Sequence, residues 1–120
     1  MAMRGIRGAT TVEDDAPEQI WSATRELGRE MLARNALNTE DIGAIIFSAT
    51  ADLKSAFPAT GMRQIPGMEF VPLFDAQQLY VEKSLPRTIR ILMLAETSLS
   101  QKEISHVYLR RAAALRPDLI

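Results

Sequence analysis

Arg4-Gly5-Ile6-Arg7-Gly8-Ala9, the core of the opening segment 1–13, predicts the first strand of a sheet. It has two glycines and no helical spacing of apolar residues, so we expect an extended chain. Side chains alternate between the faces of an extended chain, and Arg4 and Arg7 therefore point to opposite sides. One arginine can lie in solvent, whereas the other would face the protein body and need an anionic partner. The alternative is an edge strand with both arginines in solvent.

The clearest helix is predicted directly after this strand. Asp14 and Asp15 are candidate N-caps ahead of Pro17 and Glu18, which suit a first helical turn. An apolar stripe then continues to about Arg34. Shorter helical segments are predicted at 39–41, 58–65 and 100–103.

Further apolar runs have the length and composition of strands, and they lie at 44–49, 69–74, 87–94 and 106–109. Pro72 indicates an edge or a bulge for the second run. Strands and helices are interspersed, so the predicted fold class is α/β (α+β), with a mixed sheet packed with helices. The long helix covers one sheet face. The other face has no obvious helix of its own, which predicts burial against another subunit.

Length and composition exclude several classes of protein. The 120 residues suffice for a single domain, 1–120, with its own core. A net charge of −1 argues against a nucleic-acid-binding surface, and no segment has the pattern of a membrane span or a signal peptide. Cysteine is absent, which excludes thiolate metal sites and fits a cytoplasmic location. His106 is the only histidine, so no His-pair metal motif exists and we expect no metal site.

Arg90 is the strongest candidate for a site residue on physical grounds. It lies within the apolar run 89–94, where a buried guanidinium is costly unless it contacts carboxylates or a ligand. One explanation is a salt bridge to Asp75 or Glu96, and the other is an anionic ligand. Further groups that could donate to a ligand carboxylate are Arg63 and Tyr108.

Several segments together resemble the monofunctional AroH-class chorismate mutases. They are Arg4 to Glu13, Ala56-Phe57-Pro58-Ala59 with Arg63, Ile89-Arg90, His106 to Leu109, and Leu115 to Leu119. The matches are collinear and cover essentially the whole chain. The resemblance implies a homotrimer with a pseudo-α/β-barrel core and an active site at each subunit interface. It implies the [3,3] Claisen rearrangement of chorismate to prephenate in phenylalanine and tyrosine biosynthesis, with no cofactor.

Such a rearrangement is intramolecular and forms no covalent intermediate with the enzyme. It therefore needs no nucleophile, metal or titrating histidine. It needs a pocket that holds a flexible dianion in a compact conformer. It also needs a fixed positive charge at the ether oxygen, where negative charge grows as the C–O bond breaks. A site lined by arginines meets both needs.

The resemblance also implies roles for individual residues. Arg90 is expected to contact the ether oxygen and the side-chain carboxylate of the substrate. Arg7 and Tyr108 are expected to hold the enolpyruvyl carboxylate. Phe57 and Arg63 are expected to come from the neighbouring subunit. The remaining expected substrate contacts are Arg116, near the ring carboxylate, and Leu73, Phe74 and Leu115, which would wall the pocket.

This chain departs from the family pattern at three positions: Thr60 replaces a frequent lysine, and Asp75 and Gln78 replace a cysteine and a glutamate that contact the ring hydroxyl. A structural interpretation makes Asp75 the N-cap and Gln78 the third residue of a helix. A functional interpretation, which we favour, makes Asp75 the carboxylate that accepts the ring hydroxyl. Gln78 would then add a neutral hydrogen bond from the same helical turn.

Two other functions are alternatives to chorismate mutase activity. A trimer could keep the fold and bind a small shikimate-pathway metabolite without catalysis. An imine-hydrolysing protein of the trimeric RidA type would have a similar architecture with a different arginine site. The segment Arg4 to Thr10 argues against the second alternative.

Overall fold

A computed structural model describes residues 1–119. Its five strands are β1 (Ala2–Thr11), β2 (Ile42–Ala49), β3 (Leu73–Gln77), β4 (Thr88–Thr97) and β5 (Val107–Tyr108). They form one sheet in the order β3-β2-β4-β1-β5. β4 is antiparallel to β1 and β2, whereas β3 is parallel to β2 and β5 is parallel to β1. The predicted mixed sheet is confirmed.

Two α-helices, α1 (Pro17–Arg34) and α2 (Pro58–Arg63), pack on the same face of this sheet. Short 3-10 helices lie at Thr39–Asp41, Gln101–Glu103, Arg110–Leu115 and Pro117–Leu119. The core lies between the two α-helices and the sheet, and its fully buried members include Leu27, Met31, Met62, Ile6, Phe47 and Met93. Within residues 1–119, no helix is long and apolar enough to cross a membrane.

The helix α1 has the predicted bounds, but its predicted caps are wrong. Ala16 is the N-cap residue, and no side chain caps it. Asp14 instead accepts a hydrogen bond of 3.2 Å from the Gln19 side chain. The Asp15 carboxylate accepts the backbone N–H groups of Lys54 and Ser55 at 3.1 and 3.0 Å. Asp14 is therefore bound by a side chain of α1 and Asp15 by the backbone of a distant loop, and neither carboxylate caps a backbone N–H of the helix.

The strand predicted at 69–74 is displaced toward the C-terminus, because β3 covers Leu73–Gln77. Pro72 has no N–H to donate to a ladder, and it precedes the strand. Its carbonyl still accepts the Ile45 N–H at 2.9 Å and so begins the pairing with β2. Asp75 consequently lies in a strand, and the helix predicted to start there is wrong.

The side of the sheet opposite α1 and α2, which we call the open face, carries both apolar and cationic side chains. Along β4, Ile89, Ile91 and Met93 are buried toward the helices, and the alternate residues point to the open face. Ile46 and Leu92 are each 37% exposed there, and Phe74 is 66% exposed. Ile46 pairs with Phe74 on one side and with Leu92 on the other, so the three form one contiguous apolar patch of the kind that a partner often covers.

Candidate active site

The strand register brings three of the predicted site residues together on the open face. Ala9 of β1 pairs with Arg90 of β4 on one side and with Tyr108 of β5 on the other. Arg7 lies two residues before Ala9 and therefore on the same face. The methyl side chain of Ala9 leaves space between its larger neighbours, and a pocket of about 250 Å³ lies there. Arg7, Arg90 and Tyr108 all line it, together with Ser48.

Arg90 is half-buried, and a neutral side chain is its hydrogen-bond partner. Its Nε donates to Oε1 of Gln78 at 3.0 Å. The expected salt bridge to Asp75 or Glu96 is not formed, since the salt bridges among residues 1–119 are Arg34–Glu30, Arg110–Glu26 and Arg116–Asp118. Arg90 therefore keeps its positive charge beside the pocket, where an anionic ligand can use it.

The C-terminal segment brings Arg116 close to Tyr108 and Asp118 close to Arg7. The Arg116 guanidinium donates two hydrogen bonds to Asp118, at 3.1 and 2.9 Å. These bonds are the main cause of a raised pKa at Arg116, and the Tyr108 side chain contributes to it. The pKa of Asp118 is lowered chiefly by Arg116 and further by Arg7. Leu115 is half-buried at the end of the preceding 3-10 helix. Arg116 thus lies near Tyr108, which lines the pocket, and its contact with the substrate stays a prediction.

A second group of predicted site residues lies away from this pocket. Phe57 precedes α2 and is 68% exposed, and Arg63 is exposed at the end of α2. Phe74 is on the open face, whereas Leu73 packs against the buried core, so its role as a pocket wall stays a prediction. None of these residues lines the pocket around Arg90. Within one chain, the predicted site is therefore divided into two parts.

Asp75 and Gln78 belong to different parts of the divided site. The Asp75 carboxylate accepts the Ala59 backbone N–H at 3.1 Å and so holds the start of α2. Burial raises the pKa of Asp75, and the Ala59 N–H and the positive charge of Arg63 partly oppose that rise. Gln78 instead contacts Arg90. The two side chains do not share a helical turn, which corrects the geometry assumed for their exchange of roles.

Several pocket residues were missed by the sequence analysis. Ile46, Ser48 and Leu92 line the pocket because the alternation along β2 and β4 points them to the open face, as it does Arg90. Alternation within each strand is visible in the sequence, but the register between strands is not.

A larger cavity of about 470 Å³ lies next to Gln78 and is lined by residues from 50–54 and 78–86, with no arginine among them. In the described part of the chain, no three His, Asp or Glu side chains are placed to hold a metal ion.

Comparisons of sequence and fold relate this chain to known proteins. The family model for chorismate mutase type I matches residues 3–119. The chorismate mutase AroH of Thermus thermophilus is 54% identical over 118 residues, which are 98% of this chain and 96% of that protein. The chorismate mutase AroH of Bacillus subtilis (strain 168) is 41% identical over 119 residues, or 99% and 94% of the two chains.

A solved chorismate mutase from Clostridium thermocellum has the same fold, with a TM-score of 0.89 and 39% sequence identity. The match covers 92% of this chain and 98% of that structure. The family match extends over nearly all of the sequence, and both the relatives and the solved structure agree with it over the same length. By sequence and by fold, this chain belongs to the chorismate mutase type I family.

Proposed function

We propose that this chorismate mutase carries out the rearrangement of chorismate to prephenate, in phenylalanine and tyrosine biosynthesis, in a pocket shared between two subunits of a homotrimer. The observation that carries the proposal is the convergence of Arg7, Arg90 and Tyr108 on one pocket of about 250 Å³. All three side chains can donate hydrogen bonds to an anion, and chorismate is a dianion. A cytoplasmic location, as expected from the sequence, belongs to the same proposal.

Arg90 supplies the charge that the transition state needs. During the rearrangement the C–O bond of the ether breaks while a new C–C bond forms, and negative charge accumulates on the ether oxygen. A guanidinium fixed at that oxygen stabilises the charge more in the transition state than in the bound substrate. The Gln78 amide orients the guanidinium through its Nε without neutralising it. A carboxylate in that position would reduce the charge available to the substrate.

The other cations hold the substrate in its reactive shape. Arg7 and Tyr108 flank Ala9, and they bind the enolpyruvyl carboxylate in this proposal. Arg116 is close to Tyr108 and binds the ring carboxylate. Fixing both carboxylates restricts the flexible side chain to conformers in which the reacting carbons are near each other.

The distribution of the remaining site residues supports a composite site. Phe57 and Arg63 do not line the Arg90 pocket of their own chain. The open face carries partly exposed Ile46, Phe74 and Leu92 beside that pocket, and a second subunit would bury them. Packing of that face against the α2 edge of a neighbour would bring Phe57 and Arg63 to the arginine pocket, with Leu73 and Leu115 near its walls. Asp75 would then approach the ring hydroxyl from the α2 side.

The rate of chorismate loss, measured with stoichiometric prephenate formation, tests the proposal. Removal of one fixed donor to a developing charge costs about 10²–10³-fold in rate, so Arg90→Ala is expected to lose that much kcat/KM. Arg90→Lys is expected to stay impaired, because an ammonium group does not reproduce the planar guanidinium. Arg29→Lys, at an exposed position of α1, is the control. Near-normal kcat/KM in Arg90→Lys would contradict the proposal, and binding without turnover in the unmodified protein would favour a non-catalytic binder.

A further inference from the structure

His106 makes a contact that no part of the proposed reaction requires. Its Nδ1 accepts the backbone N–H of Arg7 at 2.9 Å. The ladder between β1 and β5 begins one residue later, with Gly8 opposite Val107. The imidazole thus occupies the place where a backbone carbonyl would continue the ladder, and it joins the two strands just before β5 starts.

This contact fixes the protonation of the ring. A nitrogen that accepts a hydrogen bond carries no proton, so His106 is neutral with its hydrogen on Nε2. Protonation of Nδ1 would place two N–H donors against each other and break the bond. The half-buried His106 is well suited to remain neutral, because its surroundings are cationic.

We propose that His106 is a positioning residue whose neutral imidazole holds the Arg7 backbone and the start of β5, so that Arg7 and Tyr108 face the same substrate carboxylate. The inference rests on the proposed function, which gives those two residues their role. Tyr108 lies two residues after His106 in the chain. The next residue, Leu109, also joins β5 to β1, because its N–H donates to the Ala9 carbonyl at 2.9 Å. The hydrogen bond to the imidazole is therefore the first of the bonds between the two strands that set the distance between Arg7 and Tyr108.

The charges around His106 make this bond sensitive to pH. Arg4 and Arg7 of β1 line a cavity of about 260 Å³ next to the ring. From the C-terminal segment come Arg116 and its partner Asp118. Asn35, which directly follows α1, is uncharged and hydrogen-bonds the Ser105 backbone on this side. Burial, Arg7 and Arg116 lower the pKa of His106 below its ordinary value of 6.5.

The direction of the pH effect follows from that shift. Below pH 6.5 the unfolded chain binds a proton at His106 more readily than the native protein does. The stability of the fold therefore falls as pH decreases from about 7 toward 5. Above that range, the contribution of His106 to stability does not change with pH. Activity should fall over the same interval, because the protonated ring releases Arg7.

Two substitutions at this position separate the hydrogen bond from the titration. In His106→Asn the side-chain oxygen lies where Nδ1 lies and accepts the same N–H without titrating. His106→Leu has a similar volume and no acceptor. For the assembled enzyme we expect kcat/KM of His106→Leu to be lower by about three- to tenfold at pH 7.5, as for loss of one hydrogen bond. His106→Asn should restore most of that loss and should remove the decline of kcat/KM and Tm between pH 7 and 5.

Arg7→Ala is measured beside them to separate the two claims. If Arg7→Ala loses activity while His106→Leu keeps the wild-type value and pH profile, the positioning role is wrong and the proposed function stands. If Arg7→Ala is fully active, the proposed function fails. The pH dependence of Tm then still tests the contact, and a decline retained in His106→Asn would overturn the inference.

Discussion

Arg90 and Gln78 are joined by a hydrogen bond of 3.0 Å from the guanidinium Nε to the amide oxygen. The bond connects the centre of the sheet to the residue that directly follows its edge strand, β3. It occupies Nε and leaves the outer nitrogens of Arg90 available to a ligand. The pairing of a guanidinium with a neutral amide is what distinguishes this site from a structural salt bridge.

Gln78 is therefore expected to act through Arg90. Gln78→Leu should lower kcat/KM by about tenfold, since it removes the acceptor that orients the guanidinium. Gln78→Glu keeps an acceptor of the same length and is expected to retain kcat/KM within about threefold, although its charge partly neutralises Arg90. Steady-state kinetics with chorismate provide the comparison. Wild-type kinetics in Gln78→Leu would show that Arg90 does not need this partner.

Asp75 gives a prediction in which stability and activity change differently. Its pKa is raised by burial, so the native state holds the proton more tightly than the unfolded chain and stability decreases as pH rises above 3.8. Asp75→Asn removes this dependence and should have a Tm at pH 7 no lower than that of the wild type. If Asp75 accepts the ring hydroxyl, kcat/KM falls by about tenfold in the same variant.

Melting curves at pH 4 and pH 7, with kcat/KM at pH 7, decide both parts. The Tm difference between the variant and the wild type should shrink toward pH 4. An Asp75→Asn enzyme with unchanged kcat/KM would leave Asp75 with its contact to Ala59 as its only role. A large loss of Tm at pH 7 would contradict the direction of the pKa shift.

Gly61 is expected to control how closely α2 packs on α1. A Cβ atom added at Gly61 would lie 2.6 Å from the Trp21 carbonyl oxygen and 2.7 Å from the Trp21 Cα. Because both are backbone atoms, Gly61→Ala should lower the free energy of unfolding by about 1–3 kcal/mol. Gly43→Ala is the control, since its added Cβ would have its nearest atom at 3.7 Å. Equal Tm values for the two variants would contradict the close packing.

The elements whose positions the sequence predicts well are those that depend on the spacing of apolar residues within one segment. The helix α1 begins at Pro17 and ends at Arg34 as predicted, and the alternation along β4 separates Ile91 from Arg90. The apolar composition of 69–74 predicts a strand in that segment, but Pro72 has no N–H to donate and β3 starts only at Leu73. Its true bounds depend on pairing with β2, which is a tertiary property.

The candidate site shows the same division between local and long-range information. The chemistry of Arg90 could be inferred from its apolar neighbours, but its partner Gln78 could not, because the loop between β3 and β4 sets that contact. The meeting of Arg7 and Tyr108 depends on pairing between strands about 100 residues apart. Asp75 was assigned to a helix because its neighbours match a capping box, and β3 pairing overrides that local preference.

Arg116 is expected to contribute to substrate binding more than to the fold. Its salt bridge with Asp118 is exposed, and such pairs contribute little to stability. Arg116→Ala should therefore raise KM by about tenfold while Tm stays unchanged, because its contact is with a carboxylate rather than with the ether oxygen. Asp118→Ala is the control and should leave Tm unchanged. A loss confined to kcat in Arg116→Ala would assign the residue to the transition state instead.

Because the predicted site is divided within one chain, two inactive variants that damage different parts of it can complement each other only if the site is shared between subunits. Arg90→Ala and Arg63→Ala are each expected to be folded and nearly inactive, because they damage different halves of every site. When the two proteins exchange subunits, some interfaces combine the intact Arg90 half of one chain with the intact Arg63 half of the other. Chorismate mutase activity is expected to reappear in the purified mixed trimers. Mixed trimers with no more activity than the separate variants would contradict a site shared between subunits.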